Sequence, residues 1–224
     1  MKKYVIIVAG GTGIRMGSDV PKQFMLLAEE PMLMHTIRAF AVTCPDASMV
    51  VPLPERQIRR WEELIREYGF TVPHRIVSGG ATRFHSVLNG LSELPSDGLV
   101  AIHDGARPLV SKDLIIRSFR EAETHGNAVP ALPVTESIRQ LTDGGNQPVD
   151  RTSFRLVQTP QVFLLKEIQQ AYQQPYRPEF TDDATVMEAA GFCIHLIDGE
   201  PENIKITCPK DLIIAQALMT RPFH

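Results

Sequence analysis

Tyr4-Val5-Ile6-Ile7-Val8-Ala9-Gly10-Gly11-Thr12-Gly13-Ile14-Arg15-Met16-Gly17, followed by Pro21-Lys22-Gln23-Phe24, is the stretch from which the fold is read. Its first six residues form an apolar run rich in β-branched side chains, as a strand buried on both faces requires. The glycines that follow let the backbone turn sharply with several N–H groups converging on one point, an arrangement suited to an anion. Arg15 and Lys22 add fixed positive charge beside those donors. The combination predicts a strand that delivers a phosphate-binding loop, and the phosphate chain of a nucleoside triphosphate fits it.

Two better-known glycine signatures do not apply. A dinucleotide fingerprint needs glycine three residues after Gly13, where Met16 stands. A Walker loop needs Gly-Lys-Ser/Thr opening a helix, whereas Lys22 lies between Pro21 and Gln23, clear of the glycines.

Outward from this loop, helix and strand patterns alternate. Helices are predicted over 31–43, 54–68, 83–94, 112–125, 165–172, 181–190 and 209–219, and strands over 49–53, 74–77, 99–103, 128–132, 161–164 and 193–197. Pro130 is awkward inside a central strand and points to an edge or a bulge. Such alternation predicts an α/β fold with a mainly parallel sheet and ligands at the carboxyl ends of its strands. Between about 134 and 154 the pattern changes. Polar residues around Asp143-Gly144-Gly145-Asn146 predict a projecting β-hairpin, and an isolated two-stranded arm buries too little surface to stand alone, which points to packing on a second subunit, with a solvent-exposed, mobile insertion as the alternative.

The chain has 224 residues and no linker-like tract, so a single domain over 1–224 is expected. A formal net charge of −3 argues against a general nucleic-acid binder, so anion binding must be local. Cys44, Cys193 and Cys208 are odd in number and unpaired in spacing, as expected of reduced thiols in a cytoplasmic protein. The first apolar run is too short for a secretion signal, and no stretch approaches the roughly 20 residues of a membrane helix. No membrane partner is expected.

Further constellations carry candidate chemistry. Leu99-Val100-Ala101-Ile102 runs into His103-Asp104-Gly105-Ala106-Arg107-Pro108, setting an acid at a strand's carboxyl end. There Asp104 reads either as a magnesium ligand shared with phosphate oxygens or as a turn-capping acid. His103 invites a general-base role, but a phosphate nucleophile is already ionised near neutral pH and needs none, so a satisfied core histidine is the better reading. Ser78-Gly79-Gly80-Ala81-Thr82-Arg83-Phe84-His85-Ser86 is a second glycine turn, from which Ser86 can reach a base or ribose; simple turn chemistry also accounts for it. Lys205 between two isoleucines, Arg151 in the arm, and Thr181-Asp182-Asp183 at a helix start have plain alternatives as an edge-strand cation, a surface charge and an N-cap.

Taken in order, the first loop with Arg15 and Lys22, the SGGATRFHSV turn, HDGARP, Asp150-Arg151, QTPQ, Thr181-Asp182 and NIKIT resemble the 2-C-methyl-D-erythritol 4-phosphate cytidylyltransferases over nearly the whole chain. The resemblance implies a three-layer Rossmann-like nucleotidyltransferase sheet. It also implies transfer of a cytidylyl group from CTP to the phosphate of methylerythritol phosphate, with pyrophosphate released and magnesium (or another divalent cation) required. On that basis Arg15 and Lys22 stabilise the reacting phosphorus, Asp104 ligates the metal, and Ala9, Gly10, Gly11, Gly80 and Ser86 line the nucleotide pocket. Arg107, Ser137, Arg151, Thr159, Thr181 and Lys205 hold the acceptor, with the arm making a homodimer and Arg151 serving the neighbouring site. Two departures stand out. Glu136-Ser137 replaces the family's frequent Asp-Thr, and Ala81-Thr82 stands where an acid is common. A cytidylyltransferase for another polyol phosphate, such as ribitol 5-phosphate, is the nearest alternative.

Overall fold

The computed structural model describes residues 1–10 and 20–220. In chain order the elements are β1 (Lys3–Val8), a short 3-10 turn (Lys22–Phe24), β2 (Leu26–Leu27), β3 (Glu30–Pro31), α1 (Met32–Thr43), β4 (Ser48–Leu53), α2 (Glu55–Glu67) and β5 (Arg75–Ser78). There follow α3 (Arg83–Ser92), β6 (Leu99–Asp104), α4 (Lys112–His125), β7 (Asn127–Pro133), β8 (Arg139–Thr142) and β9 (Gly145–Pro148). The chain continues through a second 3-10 turn (Arg151–Ser153), β10 (Arg155–Val157), β11 (Gln161–Leu164), α5 (Leu165–Ala171), α6 (Asp183–Ala189), β12 (Leu196–Asp198) and α7 (Pro209–Met219).

The main sheet runs β10-β7-β11-β6-β1-β4-β5, with β12 on the other side of β7. Its β6-β1-β4-β5 half is parallel, and β11 enters antiparallel between β6 and β7. Alternation along β1 explains the layering. Val5 and Ile7 point to one face, where α1, α2 and α4 contribute Phe40, Trp61 and Phe119; Tyr4 and Ile6 point to the other, covered by α3, α5 and α6. Both faces being covered, β6 is buried at every position.

Pro130 proves to be interior rather than at an edge, because β7 has neighbours on both sides. The opposing strand is broken instead. Val162 pairs with Ala128 and Val157 with Ala131, so the partner numbers step by five while β7 advances three, and Gln158, Thr159 and Pro160 bulge out. That break carries Thr159 to the carboxyl end of β6, where its hydroxyl accepts the Asp104 N–H at 3.1 Å.

Helix ends follow their sequence signals. Ser111 caps α4 by accepting the Leu114 N–H, and Gly126 ends it at φ +85, a left-handed geometry costly for any residue with a Cβ. The predicted strand at 193–197 is observed at 196–198, and the predicted helix at 181–190 is shortened to 183–189 because Asp182 serves as its N-cap. The hairpin expected at 134–154 is present as β8 and β9 around Asp143-Gly144, paired among the described residues only with each other and exposed at all eight paired positions.

Candidate active site

Asp104, the last residue of β6, stands at the carboxyl end of the parallel strands beside the ends of β1 and β4. Three cations from separate segments converge on its carboxylate. Lys205 Nζ donates to Oδ2 at 2.7 Å, Arg83 Nε approaches Oδ1 at 3.5 Å, and Arg107 Nε lies 3.8 Å from Oδ2. Burial alone would raise this carboxyl's pKa, but Arg83, Lys205 and Arg107 together outweigh it and hold the group well below the usual carboxylate range. It is therefore an anion throughout the physiological range.

Arg83 is itself built into a buried network. Its Nη1 and Nη2 make a bidentate pair with Asp183 at 2.8 and 2.6 Å, and the Tyr172 hydroxyl donates to the same carboxylate at 2.6 Å. Burial and then Asp183 push the Tyr172 hydroxyl's pKa upward, so it stays a donor. Lys205 arrives on an irregular segment over 203–207, not on a strand, with Ile206 packed under α7 and the β2–β3 turn. Asn203 fixes that segment by donating to the Thr159 carbonyl at 2.8 Å, while its own carbonyl accepts from Arg107 Nη1 at 2.7 Å.

His103 is locked. Burial pushes its pKa down to about 4, so the ring is neutral at pH 7. Nε2 lies 3.1 Å from the Arg107 carbonyl, which can only accept, so Nε2 carries the proton and Nδ1 accepts from the Thr159 hydroxyl at 3.2 Å. Thr159 in turn accepts the Asp104 N–H, and the chain of three bonds fixes the end of β6.

Two cavities meet on this cluster. One, of about 310 Å³, brings together Ala9, Gly10, Lys22, Gly80, Ser86 and Asp104. The other, of about 320 Å³, brings together Asp104, Arg107, Thr159, Thr181 and Lys205. Arg83, Asp104 and Lys205 line both, forming a shared wall. Among the described lining residues, Lys22, Arg83, Arg107 and Lys205 face only two carboxylates, Asp104 and Asp182, so the crevice favours anionic ligands. Arg107 Nε is buried without a hydrogen-bond partner among the described residues and has Asp104 as its counter-charge.

The glycine turn before α3 is held by Ser86, whose hydroxyl donates to the Thr82 carbonyl at 3.0 Å and accepts the Gly80 N–H at 3.1 Å. A methyl group on Gly80 would overlap His85 Cβ, so the turn can pack this closely on the start of α3 only with glycine there. Thr82 caps α3 through its side chain. Lys22 sits on its 3-10 turn with Nζ donating to the Ile206 carbonyl at 3.4 Å.

Not every predicted residue gathers here. Ser137 and Arg151 lie in the exposed arm and line neither cavity; Arg151 donates to the Thr135 carbonyl across the arm's base. Gly11 and Arg15 lie outside the described residues. Arg83, Asp183, Tyr172 and Gln161 were not singled out by sequence. The available signal was the acid pair Asp182-Asp183, of which an N-cap explains only one. Asp182 caps α6 and also accepts from Gln161 Nε2 at 2.8 Å, leaving Asp183 buried against Arg83.

Comparison with known proteins agrees with this geometry. The chain matches the profile of the family IspD, 2-C-methyl-D-erythritol 4-phosphate cytidylyltransferase, over residues 3–221. It is 49% identical over 219 residues to the protein of that name from Bacteroides thetaiotaomicron, covering 98% of this chain and 100% of the relative. The Porphyromonas gingivalis protein of that name is 50% identical, with 98% of each chain covered. The crystal structure of the Thermus thermophilus enzyme of that name superposes with a TM-score of 0.76, at 33% identity over 97% of this chain and 98% of that one. With the family match running over residues 3–221 and a relative 49% identical over its whole length, the chain belongs to the 2-C-methyl-D-erythritol 4-phosphate cytidylyltransferase family.

Proposed function

We propose that this chain transfers a cytidylyl group from CTP to 2-C-methyl-D-erythritol 4-phosphate, giving 4-diphosphocytidyl-2-C-methyl-D-erythritol and pyrophosphate for isoprenoid precursor synthesis. The observation that carries the reading is the shared wall of Arg83, Asp104 and Lys205 between two cavities, one under a glycine turn and one flanked by Arg107 and Thr181. CTP takes the first cavity and the polyol phosphate the second, so their phosphates meet across the wall.

An acceptor phosphate oxygen attacks the α-phosphorus of CTP, and the bond from that phosphorus to the oxygen bridging the β-phosphate breaks. A phosphate monoester has a second pKa of about 6, so it is largely ionised at pH 7 and needs no proton removed. His103 accordingly has no part as a base. The chain supplies position and charge: Lys22 and, from the first loop, Arg15 neutralise the reacting phosphorus and departing pyrophosphate, while Lys205 and Arg107 seat the acceptor. Gly10 and Gly80 offer close backbone approach, Gly11 is assigned to the same nucleotide pocket from the sequence, and Ser86 keeps the Gly80 turn in shape.

The donor set fits magnesium. Asp104 is the one carboxylate among the described residues of the nucleotide cavity and is held ionised, matching an ion that takes one or two carboxylates and completes its shell with phosphate oxygens. Asp104 would hold it, and magnesium supplies charge neutralisation on the triphosphate.

The arm, at about 134–154, completes the site in a homodimer, with Arg151 and Ser137 reaching the partner's acceptor cavity. Exposed Leu141 on the hairpin is suited to burial there. Mixing inactive Lys22→Ala and Arg151→Ala proteins tests this: subunit exchange restores part of the activity if Arg151 works in trans, and restores none if it does not. The single domain and the three free cysteines suit a cytoplasmic enzyme. Pyrophosphate release measured with CTP and either methylerythritol phosphate or ribitol 5-phosphate tests the activity itself. Faster turnover of ribitol 5-phosphate would replace the acceptor, and no release with either would end the proposal.

A further inference from the structure

On the far side of the molecule's chemistry, Glu121 and His125 stand one turn apart at the end of α4, and His195 closes on them from the segment before β12. Glu121 Oε2 lies 3.6 Å from His125 Nε2 and 3.9 Å from His195 Nε2. All three ligand atoms fall within 4.8 Å of one another, and the two imidazoles stack with centroids 3.8 Å apart.

These spacings are informative. A hydrogen bond from either ring would bring nitrogen and oxygen to about 2.9 Å. Ligands sharing one tetrahedral zinc at bond lengths of about 2.0–2.2 Å sit roughly 3.4 Å apart, closer to what is observed. Two imidazoles and a carboxylate are also a donor set that late first-row divalent ions prefer.

The surroundings support the ligands as a built shell would. Arg120 donates to the other carboxylate oxygen, Oε1, at 3.1 and 3.3 Å, which leaves Oε2 turned toward the rings. The backbone of His195 is fixed on both sides, its N–H donating to Asn127 Oδ1 at 2.8 Å and its carbonyl accepting the Val129 N–H at 2.9 Å. The C-terminal end of α4 presents its carbonyls to the same place, and the helix dipole favours a cation there.

We propose that Glu121, His125 and His195 form a zinc-binding site separate from the catalytic crevice. Three protein ligands leave a fourth position for water. The ion ties the end of α4 to the segment that feeds β12, two parts of the chain about 70 residues apart in sequence.

The test uses the full chain, stripped of metal and kept in millimolar magnesium so that oxygen-rich sites are occupied, then titrated with zinc chloride by calorimetry. One zinc per chain at micromolar affinity or better is expected, with protons released on binding because a ligating imidazole must be neutral. His195→Ala and His125→Ala should each weaken binding by about 30-fold or more, and Arg120→Ala by about 10-fold. All three side chains are partly exposed, so circular dichroism should show the variants folded. Cobalt(II) should give the intense visible bands of a four-coordinate site in the parent protein and not in His195→Ala. Cys193→Ser should bind zinc normally, and cytidylyl transfer should be unchanged in His195→Ala. Absence of stoichiometric zinc binding, unchanged affinity in His195→Ala, or loss of binding in Cys193→Ser instead would overturn the proposal.

Discussion

The cluster around Asp104 and the β8–β9 arm are opposite solutions to placing charged residues. Around Asp104, every ionic side chain is fixed by partners from distant segments: Arg83 by Asp183, Lys205 by Asp104, Arg107 by the Asn203 carbonyl. In the arm, Arg139, Arg151 and Arg155 bond only to groups within the arm or beside it, and Leu141 is 83% exposed. The first region carries its geometry within one chain. The second, on the proposed dimer, would find its partners on another subunit, so the two should respond differently to the same kind of substitution.

The largest effect should come from Asp183→Ala. Removing one partner of a buried ion pair strands the other, at a cost of about 3–5 kcal/mol, so urea unfolding should show that loss together with loss of turnover. A stability change under 1 kcal/mol would mean that Arg83 finds another partner and that the cluster is less determined than its geometry implies. Next, Lys22→Ala should lower kcat by about 10²–10³-fold with folding intact, since its charge acts on the transition state. Near-normal turnover in a folded Lys22→Ala protein would remove Lys22 from the mechanism.

A pH experiment sharpens the contrast further. The unfolded chain protonates His103 near its ordinary value of 6.5, whereas the folded chain does so only at about 4. Above 6.5 both states are neutral and nothing is lost; as pH falls through that window the unfolded state binds the proton first. Stability should therefore fall by about 3 kcal/mol between those limits, and His103→Gln should flatten the slope. An unchanged slope would show that the ring is not held neutral. The smallest effect belongs to the arm. Leu141→Ala should change the unfolding free energy of the single chain by less than about 0.5 kcal/mol, yet it should weaken dimerisation measured by sedimentation. A large loss of single-chain stability would mean the hairpin packs on its own subunit.

What could be read from sequence divides along the same line. Elements set by local signals were legible: β1 and β6 as apolar runs, α4 between Ser111 and Gly126, α7 from Pro209, and the hairpin from its Asp-Gly turn. Asp104 and Gly80 were legible as candidates from a strand end and a glycine turn, and Lys205 from the NIKIT motif that the resemblance supplied. Their convergence was not, because it depends on contacts such as Arg83 to Asp183, 100 residues apart, which leave no periodic trace. Pro130 shows the same limit. A proline in a strand announces an irregularity, but only the sheet order reveals that the neighbouring strand, not β7, absorbs it.

On the proposed assignment, a single partition would separate donor from acceptor chambers and leave each open to independent remodelling. Substitutions around Thr181 or Gln161 would then change which alcohol phosphate is accepted while leaving recognition of the pyrimidine intact. A tethered compound spanning the partition, with a cytosine at one end and a polyol at the other, would engage both chambers at once and gain the avidity of a linked pair.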